Sequence, residues 1–384
     1  MSDPLSPDDE FPPWKSPVET PPGAPDPDDL APGFAVYEVE TDGKTVRYYG
    51  DLRASPETVI ERAWGPFRER GYEARLTHER GEFVLIAEPI ELGVNGIPWT
   101  NVFLFVATIL STLYAGAHWY YVDPFSTEIV QAVPFMLAIM IVLGVHELGH
   151  YAMSRYHGVQ ASLPYFIPIP TIIGTMGAVI KMEGQMPDRD ALFDIGVAGP
   201  LAGLAATIVV TAVGLHMDPV TPPPEIVDGA DVYLELGYPP LLELIAAAVG
   251  QPLAYDGVTS VNPVVVGGWV GMFVTFLNLI PVGQLDGGHI VRAMAGQRQQ
   301  TIAAVVPLVL VALAAYVHYL VGASLNAAGL WLFWALVAVV LATVGPAHPV
   351  RDEPLDAKRK VVGALTFVLG ALCFTPVPID IVYA

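Results

Sequence analysis

Long stretches without a single Asp, Glu, Lys or Arg dominate the chain after residue 91. They cover residues 92–122, 129–145, 195–217, 257–285, 299–350 and 361–379. Because a helix needs about 20 apolar residues to cross a bilayer, the stretch from residue 299 predicts two spans, with a break near residues 321–329. The pattern therefore predicts an α-helical polytopic membrane protein with about seven transmembrane helices.

The first 92 residues follow a different pattern. Residues 1–34 contain ten prolines and eight acidic side chains with one lysine, which predicts a disordered, acidic, Pro-rich tail. Residues 35–92 alternate between apolar and polar positions on both sides of a helix that Ser55 and Pro56 open. This pattern predicts a small N-terminal α+β soluble domain of ββαββ order, which leaves residues 93–384 as the transmembrane domain.

Charge and cysteine content narrow the class of protein further. The chain carries 39 acidic and 18 basic residues, and 20 of the acidic ones lie within residues 1–92. The sparse charge after residue 92 indicates that this part has the lipid bilayer as its solvent. The acidic balance excludes nucleic acid as a partner, since a phosphate backbone requires clustered Lys and Arg. A single cysteine, Cys373, excludes a disulfide framework and a thiolate zinc cluster.

Basic residues predict the orientation in the membrane. The N-terminus lacks the basic and apolar regions of a signal peptide, so we expect it to stay in the cytoplasm. All nine Lys and Arg residues after residue 92 then fall in cytoplasmic segments, as the positive-inside rule requires. They are Arg155, Lys181, Arg189, Arg292, Arg298, Arg351, Lys358, Arg359 and Lys360. The sequence predicts a multi-pass protein of the cell membrane with a cytoplasmic N-terminus and an outer C-terminus.

The second predicted span ends in the motif HELGH, at residues 146–150. Residues four apart lie on one face of a helix, so His146 and His150 can bind one metal ion with Glu147 beside them. This arrangement is typical of zinc hydrolases, in which the metal activates a water molecule and a carboxylate acts as general base. Ionisable residues inside a span are costly, which favours a functional role over a packing role.

A hydrolytic zinc site needs a third protein ligand. Asp286 is the best candidate, because it closes an apolar span in the motif NLIPVGQLDGG, where Pro281 and paired glycines break the helix and turn the carboxylate inward. His289 is a rival ligand three residues later. Its position beyond the glycines favours a role in orienting Asp286 or a place at the cytoplasmic rim.

Together, HELGH and NLIPVGQLDGG resemble the site-2 protease family of intramembrane zinc metalloproteases, peptidase family M50, and its archaeal and chloroplast branch in particular. The resemblance implies a zinc metalloendopeptidase that cleaves transmembrane segments of substrate proteins. It also implies one Zn²⁺ per active site, with His146, His150 and Asp286 as ligands and Glu147 as catalytic base. For Asn278 it implies a catalytic and substrate-binding role, by orienting the scissile peptide or stabilising its oxyanion. A helix–helix hydrogen bond is the alternative for Asn278.

Two glycine pairs fit the same resemblance. Residues 163–182 contain three prolines and therefore predict a re-entrant, β-hairpin-like segment. Within it, Gly174 and Gly177 would let another backbone approach, as in the family's sheet that receives the substrate as an added strand. An ordinary interfacial loop is the alternative. Gly199 and Gly203 match a family motif on the third span, and we interpret them as structural residues that permit close helix packing.

Two other classes of function compete with proteolysis. A metal or ion transporter would use the intramembrane His and Asp residues as a translocation path, but such transporters usually contain internal repeats and neither motif has a second copy in the sequence. A non-proteolytic membrane scaffold would be expected to lack Glu147 or Asp286, and both are present. No inserted segment resembles a PDZ module. The remaining histidines after residue 92, apart from His289, are expected to be interfacial or hydrogen-bonded residues and not metal ligands. They are His118, His157, His216, His318 and His348.

Overall fold

The computed structural model describes residues 20, 23–79, 81–90, 96–228, 232–255 and 258–383. The chain divides into two compact units, Met1–Leu92 and Gly93–Ala384. Each unit has its own hydrophobic core.

The first unit is a four-stranded antiparallel sheet with a helix between its two hairpins. Its elements are α1 (Pro27–Leu30), β1 (Phe34–Asp42), β2 (Thr45–Leu52), α2 (Pro56–Glu69), β3 (Tyr72–Glu79) and β4 (Glu82–Pro89), and the strand order is β1-β2-β4-β3. Ser55 begins α2, because its side chain accepts a hydrogen bond from the Thr58 amide. The helix buries Val59, Ala63 and Phe67 in the core of this unit.

Part of the segment expected to be disordered is structured. Residues 1–19, 21 and 22 lie outside the described residues, but Leu30 and Phe34 are buried in the core. The hydroxyl of Tyr48 donates to the Pro25 carbonyl oxygen at 2.7 Å. Burial of these two apolar side chains therefore offsets the entropy lost on ordering residues that the Pro-rich composition predicted to be disordered.

The second unit is mainly helical. Its helices are α3 (Trp99–Trp119), α4 (Val133–Tyr156), α5 (Arg189–Leu215), α6 (Pro224–Asp228), α7 (Pro240–Val249), α8 (Pro263–Asn278), α9 (Asp286–Ala295), α10 (Arg298–Tyr316), α11 (Leu325–Val344) and α12 (Ala357–Leu372). A 3₁₀ turn over Thr127–Ala132 precedes α4, and a π-helical turn over Val317–Val321 continues α10.

Five of these helices are long and apolar enough to cross a membrane, namely α3, α4 with its 3₁₀ turn, α5, α10 with its π turn, and α11. The other two predicted spans correspond to α8 and α12, which have only 16 residues each. At about 1.5 Å per residue each reaches about 24 Å, less than the roughly 30 Å of hydrocarbon. The structure thus gives a polytopic helical protein with five full-length candidate spans.

Short strand pairs connect the helices. The strands are β5 (Tyr165–Pro168), β6 (Thr175–Val179), β7 (Met186–Asp188), β8 (Val232–Leu236), β9 (Pro349–Arg351) and β10 (Ile379–Tyr383). β5 and β6 form an antiparallel hairpin where the prolines predicted a re-entrant segment. β7 pairs with β9 in parallel, and β8 pairs with β10 in antiparallel orientation.

Helices α5 and α8 pack closely through small side chains. A Cβ atom added at Gly268 or Gly271 of α8 would overlap the hydroxyl of Thr211 or Thr207 on α5. Both threonines are fully buried. Since α5 also packs on α4, these contacts hold the three central helices together.

We predict opposite effects of alanine at two glycines of this unit. Gly271→Ala should lower the melting temperature, because the new methyl group would overlap Thr207 and lie 2.5 Å from a methyl carbon of Val142. Gly329→Ala in α11 should raise it, since nothing lies within 4 Å of the added atom and alanine gains about 1 kcal/mol of helix propensity. Thermal unfolding of both purified variants in detergent checks the prediction, and equal melting temperatures would contradict it.

Candidate metal centre

Helix α4 supplies two imidazoles and a carboxylate from one turn. Its Leu, Ile, Val and Met residues form a continuous apolar helix that carries His146, Glu147 and His150 near its C-terminal end. All three side chains are buried. The imidazole planes of the two histidines lie edge to face, with ring centroids 5.0 Å apart. The helical spacing predicted from HELGH is therefore the spacing observed.

Asp286 reaches the same place from the start of α9. Helix α8 ends at Asn278, and the link 279–285 turns back through Gly283, whose φ of +54° favours glycine. A Cβ atom at Gly287 would overlap the carbonyl group of Leu279. The glycines thus allow the link to fold directly onto α9. The first turn of a helix also favours a carboxylate, because the helix dipole is positive there.

Three donor atoms converge between α4 and α9. Nε2 of His146 lies 3.2 Å from Nε2 of His150, and the Asp286 carboxylate lies 3.3 Å from the first and 3.2 Å from the second. The three side chains form the only group of at least three His, Cys, Asp or Glu residues, within the described residues, whose ligand atoms suit one metal ion.

These distances fit a zinc ion. Two ligands at about 2.05 Å from a tetrahedral ion lie about 3.35 Å apart, close to the observed separations. Oδ2 of Asp286 is buried and has no hydrogen-bond partner, which is costly unless a cation compensates it. Two imidazoles and one carboxylate are also the donor set of catalytic zinc sites with one position left open.

Helix α5 orients one of the imidazoles. Nδ1 of His150 donates to the carbonyl oxygen of Ile195 at 2.8 Å. This hydrogen bond assigns the proton to Nδ1 and leaves the lone pair of Nε2 directed at the other two ligands. A backbone carbonyl leaves no recognisable signal in a sequence, so sequence reasoning missed this partner.

The two glycines of α5 lie against the two histidines. A Cβ atom at Gly199 would overlap the His150 ring, and one at Gly203 would lie 2.8 Å from Nδ1 of His146. The two glycines are four residues apart in α5, as the two histidines are in α4, so each glycine faces one imidazole. Close packing was expected here, and the structure shows that the packed groups are the candidate metal ligands themselves.

Asn278 and His289 flank the three ligands but differ in their contacts. Nδ2 of Asn278 lies 3.2 Å from Nε2 of His146, so this side chain reaches the site. His289 is buried on α9, where its Nδ1 accepts a hydrogen bond from the Ala347 amide at 3.3 Å. It does not belong to the group of three candidate ligands.

The β5–β6 hairpin lies beside Glu147. The carboxylate lies near the backbone of Ile180, directly after β6. Gly174 has a φ of +83°, and a Cβ atom there would lie 2.5 Å from the Ser111 carbonyl oxygen of α3. Gly177 has a φ of +115° and nothing within 4 Å of an added Cβ. Gly174 therefore packs the hairpin against α3, whereas the space that a side chain at Gly177 would occupy is open.

Four of the histidines expected not to be ligands have hydrogen-bond partners elsewhere. His118 and His216 contact carbonyl oxygens one turn earlier in their helices, His318 contacts the Ala323 carbonyl oxygen, and His157 lies 3.0 Å from Asp194. His348 is exposed.

Residues 134–317 match peptidase family M50. The chain is also 30% identical over 292 residues to the probable zinc metalloprotease EGY1, chloroplastic, of Arabidopsis thaliana, covering 72% of this chain and 51% of that protein. Its identity to the probable zinc metalloprotease EGY2, chloroplastic, of the same plant is 29% over 256 residues. That match covers 64% of this chain and 42% of that protein. These matches confirm the resemblance that the two motifs indicated.

The chain spans about half the length of the curated relatives it matches. The match to probable zinc metallopeptidase EGY3, chloroplastic, of Arabidopsis thaliana covers 43% of that protein at 29% identity. No solved structure matches the chain significantly.

We predict that Gly199→Ala weakens zinc binding, because the added methyl group must displace the His150 imidazole. Shifts of this kind typically reduce metal affinity by about 10- to 100-fold. Gly144→Ala on α4 is the matched control, since its Cβ would make an ordinary 3.7 Å contact with Phe166. Zinc content after dialysis against a graded chelator series measures the difference. Equal retention of zinc by the two variants would contradict the prediction.

Proposed function

Because residues 134–317 match peptidase family M50, we propose that the protein is an intramembrane zinc metalloendopeptidase. The observation that carries this proposal is the convergence of His146, His150 and Asp286 beside Glu147, against α4 and α5, two helices apolar enough to cross a membrane. The proposed substrates are transmembrane segments of other proteins, cleaved within the bilayer.

His146, His150 and Asp286 are the proposed ligands of one Zn²⁺. Ile195 and Gly199 hold the His150 ring, and Gly203 leaves room for the His146 ring. When bound, zinc supplies Lewis-acid activation of a water molecule.

Glu147 is the proposed general base. One of its carboxylate oxygens takes a proton from the water that attacks the scissile carbonyl carbon, and then gives it to the amine nitrogen when the C–N bond breaks. Glu147 is 6% exposed, so little bulk water competes for this proton. The amide nitrogen of Asn278, beside His146, is the proposed donor to the carbonyl oxygen that becomes negative.

The β5–β6 hairpin is the proposed surface for the substrate backbone. A peptide must be extended to expose its scissile bond, and an extended peptide gains hydrogen bonds by pairing with a strand. The open space at Gly177 and the proximity of Ile180 to Glu147 support this role. Gly174 contributes by holding the hairpin against α3.

We further propose seven membrane crossings with a cytoplasmic N-terminus and an outer C-terminus. Segments assigned to the cytoplasmic side contact each other, as Arg359 does with Asp194 at 2.8 Å. Segments assigned to the outer side also contact each other, since β8 pairs with β10 and Ser324 hydrogen-bonds to Asp380. Helix α12 runs from the first group to the second, which supports its counting as a crossing despite its 16 residues.

We predict that Glu147→Gln retains zinc but loses turnover, because the change removes the base and keeps all three ligands. Asp286→Asn and His146→Ala should lose zinc as well as activity. Zinc-to-protein stoichiometry and cleavage of a substrate with one transmembrane segment, measured on the same preparations, separate the two outcomes.

The same preparations test Asn278. Asn278→Ala should keep its zinc and lower the cleavage rate by about 10² to 10³, the usual effect of removing one oxyanion donor. A fully zinc-loaded Asp286→Asn protein with normal cleavage would remove Asp286 from the ligand set. Wild-type protein that binds no zinc and cleaves nothing would overturn the proposed function as a whole.

We predict the sidedness of two engineered cysteines in a Cys373→Ser background. Thr127→Cys, before α4, should react with a reagent confined to the outside, whereas Glu353→Cys, between α11 and α12, should not. Both positions are exposed in the structure, so a cysteine that fails to react is shielded by the membrane and not by burial within the protein. Labelling of intact cells and of inverted vesicles gives the measurement. The reverse pattern would rule out the proposed orientation.

A further inference from the structure

The connecting segment 345–356 joins α11 to α12 and lies beyond the residues that match family M50. Its strand β9 pairs with β7, immediately before α5. Its Leu355 is 3% exposed and belongs to a cluster that includes Phe193 of α5 and Ile290 of α9. The segment is therefore packed against the two helices that complete the metal centre.

Asp352 of this segment binds two arginines from different helices. One carboxylate oxygen lies 2.6 Å from Nε of Arg189 and 3.1 Å from Nη1 of Arg292, and the other lies 3.2 Å from Nη2 of Arg292. Arg292 is 6% exposed, so its charge is nearly removed from water. Hydrogen bonds from Arg189 and Arg292 lower the pKa of Asp352, which keeps the carboxylate charged.

Each of these arginines belongs to a helix that builds the metal centre. Arg189 is the first residue of α5, which also carries the Ile195 carbonyl that orients His150. Arg292 is on α9, which begins with Asp286. The Ala347 amide of the same segment donates to His289, one turn after Asp286. The segment thus contacts α9 at two points and joins it to α5.

We propose that the connecting segment is a positioning element for the metal centre, with Asp352 as its positioning residue. Asp352 places a negative charge between two guanidinium groups, which reduces their mutual repulsion and fixes the start of α5 relative to α9. This fixes the Ile195 carbonyl, and through it His150, relative to Asp286. The inference rests on the proposed zinc peptidase function, and it adds a part of the chain outside the matched region to the site.

The test compares Asp352→Asn with Glu353→Gln in the full-length protein. Both changes remove one negative charge from an exposed side chain of the same segment, but Glu353 has no described ion pair. We expect Asp352→Asn to release zinc to a chelator about tenfold faster than the wild type. This is the lower end of the loss in metal affinity that follows when residues supporting the ligands are changed. Glu353→Gln should release zinc at the wild-type rate.

A merely structural ion pair would give a different result. It would lower the melting temperature of the zinc-free protein and leave zinc release from the folded protein unchanged, so both quantities are measured. Asp352→Glu, which keeps the charge, should restore part of the zinc retention.

Equal rates of zinc release from Asp352→Asn and Glu353→Gln would overturn the inference. If Asp352→Asn does not fold, wild-type zinc release by Arg189→Gln, which removes one of the two ion pairs of Asp352, would overturn it instead. Failure of the wild type to bind zinc would count against the proposed function and not against Asp352 alone.

Discussion

The structure of the second unit depends on keeping two imidazoles and the Glu147 carboxylate buried, and the Asp286 carboxylate nearly buried, inside an apolar helix bundle. Ionisable groups at such depth are stable only when they are paired, hydrogen-bonded or bound to a metal. His150 satisfies this condition through Ile195, and the donor atoms of His146, His150 and Asp286 converge within 3.3 Å of one another. Other features of the unit, such as the glycines of α5 and the broken helix before Asp286, allow these groups to meet.

Much of this site was predictable because helical geometry depends on local sequence. A spacing of four residues in HELGH specifies one helix face, and NLIPVGQLDGG specifies a helix break followed by a carboxylate. The partners of these residues were not predictable, since contacts between distant segments leave no local pattern. Arg189 and Arg292 indicated only sidedness in the sequence, whereas in the structure both bind Asp352.

The fold was predictable in its apolar runs and less so at its boundaries. The absence of charge marks where a helix lies in lipid, but it does not mark where the helix ends. The run 257–285 was interpreted as one span, yet only Pro263–Asn278 within it is helical. At the other end of the chain, Pro-rich composition favoured disorder for residues that Leu30 and Phe34 attach to a folded core. Composition describes an average, whereas two well-placed apolar side chains decide the outcome.

In the proposed seven-crossing topology, the shortness of α8 accounts for the depth of the site. A helix of about 24 Å that starts at one surface ends inside a hydrocarbon layer of roughly 30 Å, which would place Asn278 and the link that follows it below the other surface. Non-helical backbone is tolerated at this depth only where protein surrounds it and its polar groups are bonded. Val282 and Leu279 are buried, and amides in the link bond to carbonyl groups two or three residues earlier, as Val282 does with Ile280. In that topology a helix that ends short brings Asp286 to the level of His146 and His150, and the burial of Leu279 and Val282 keeps part of the broken backbone inside the protein.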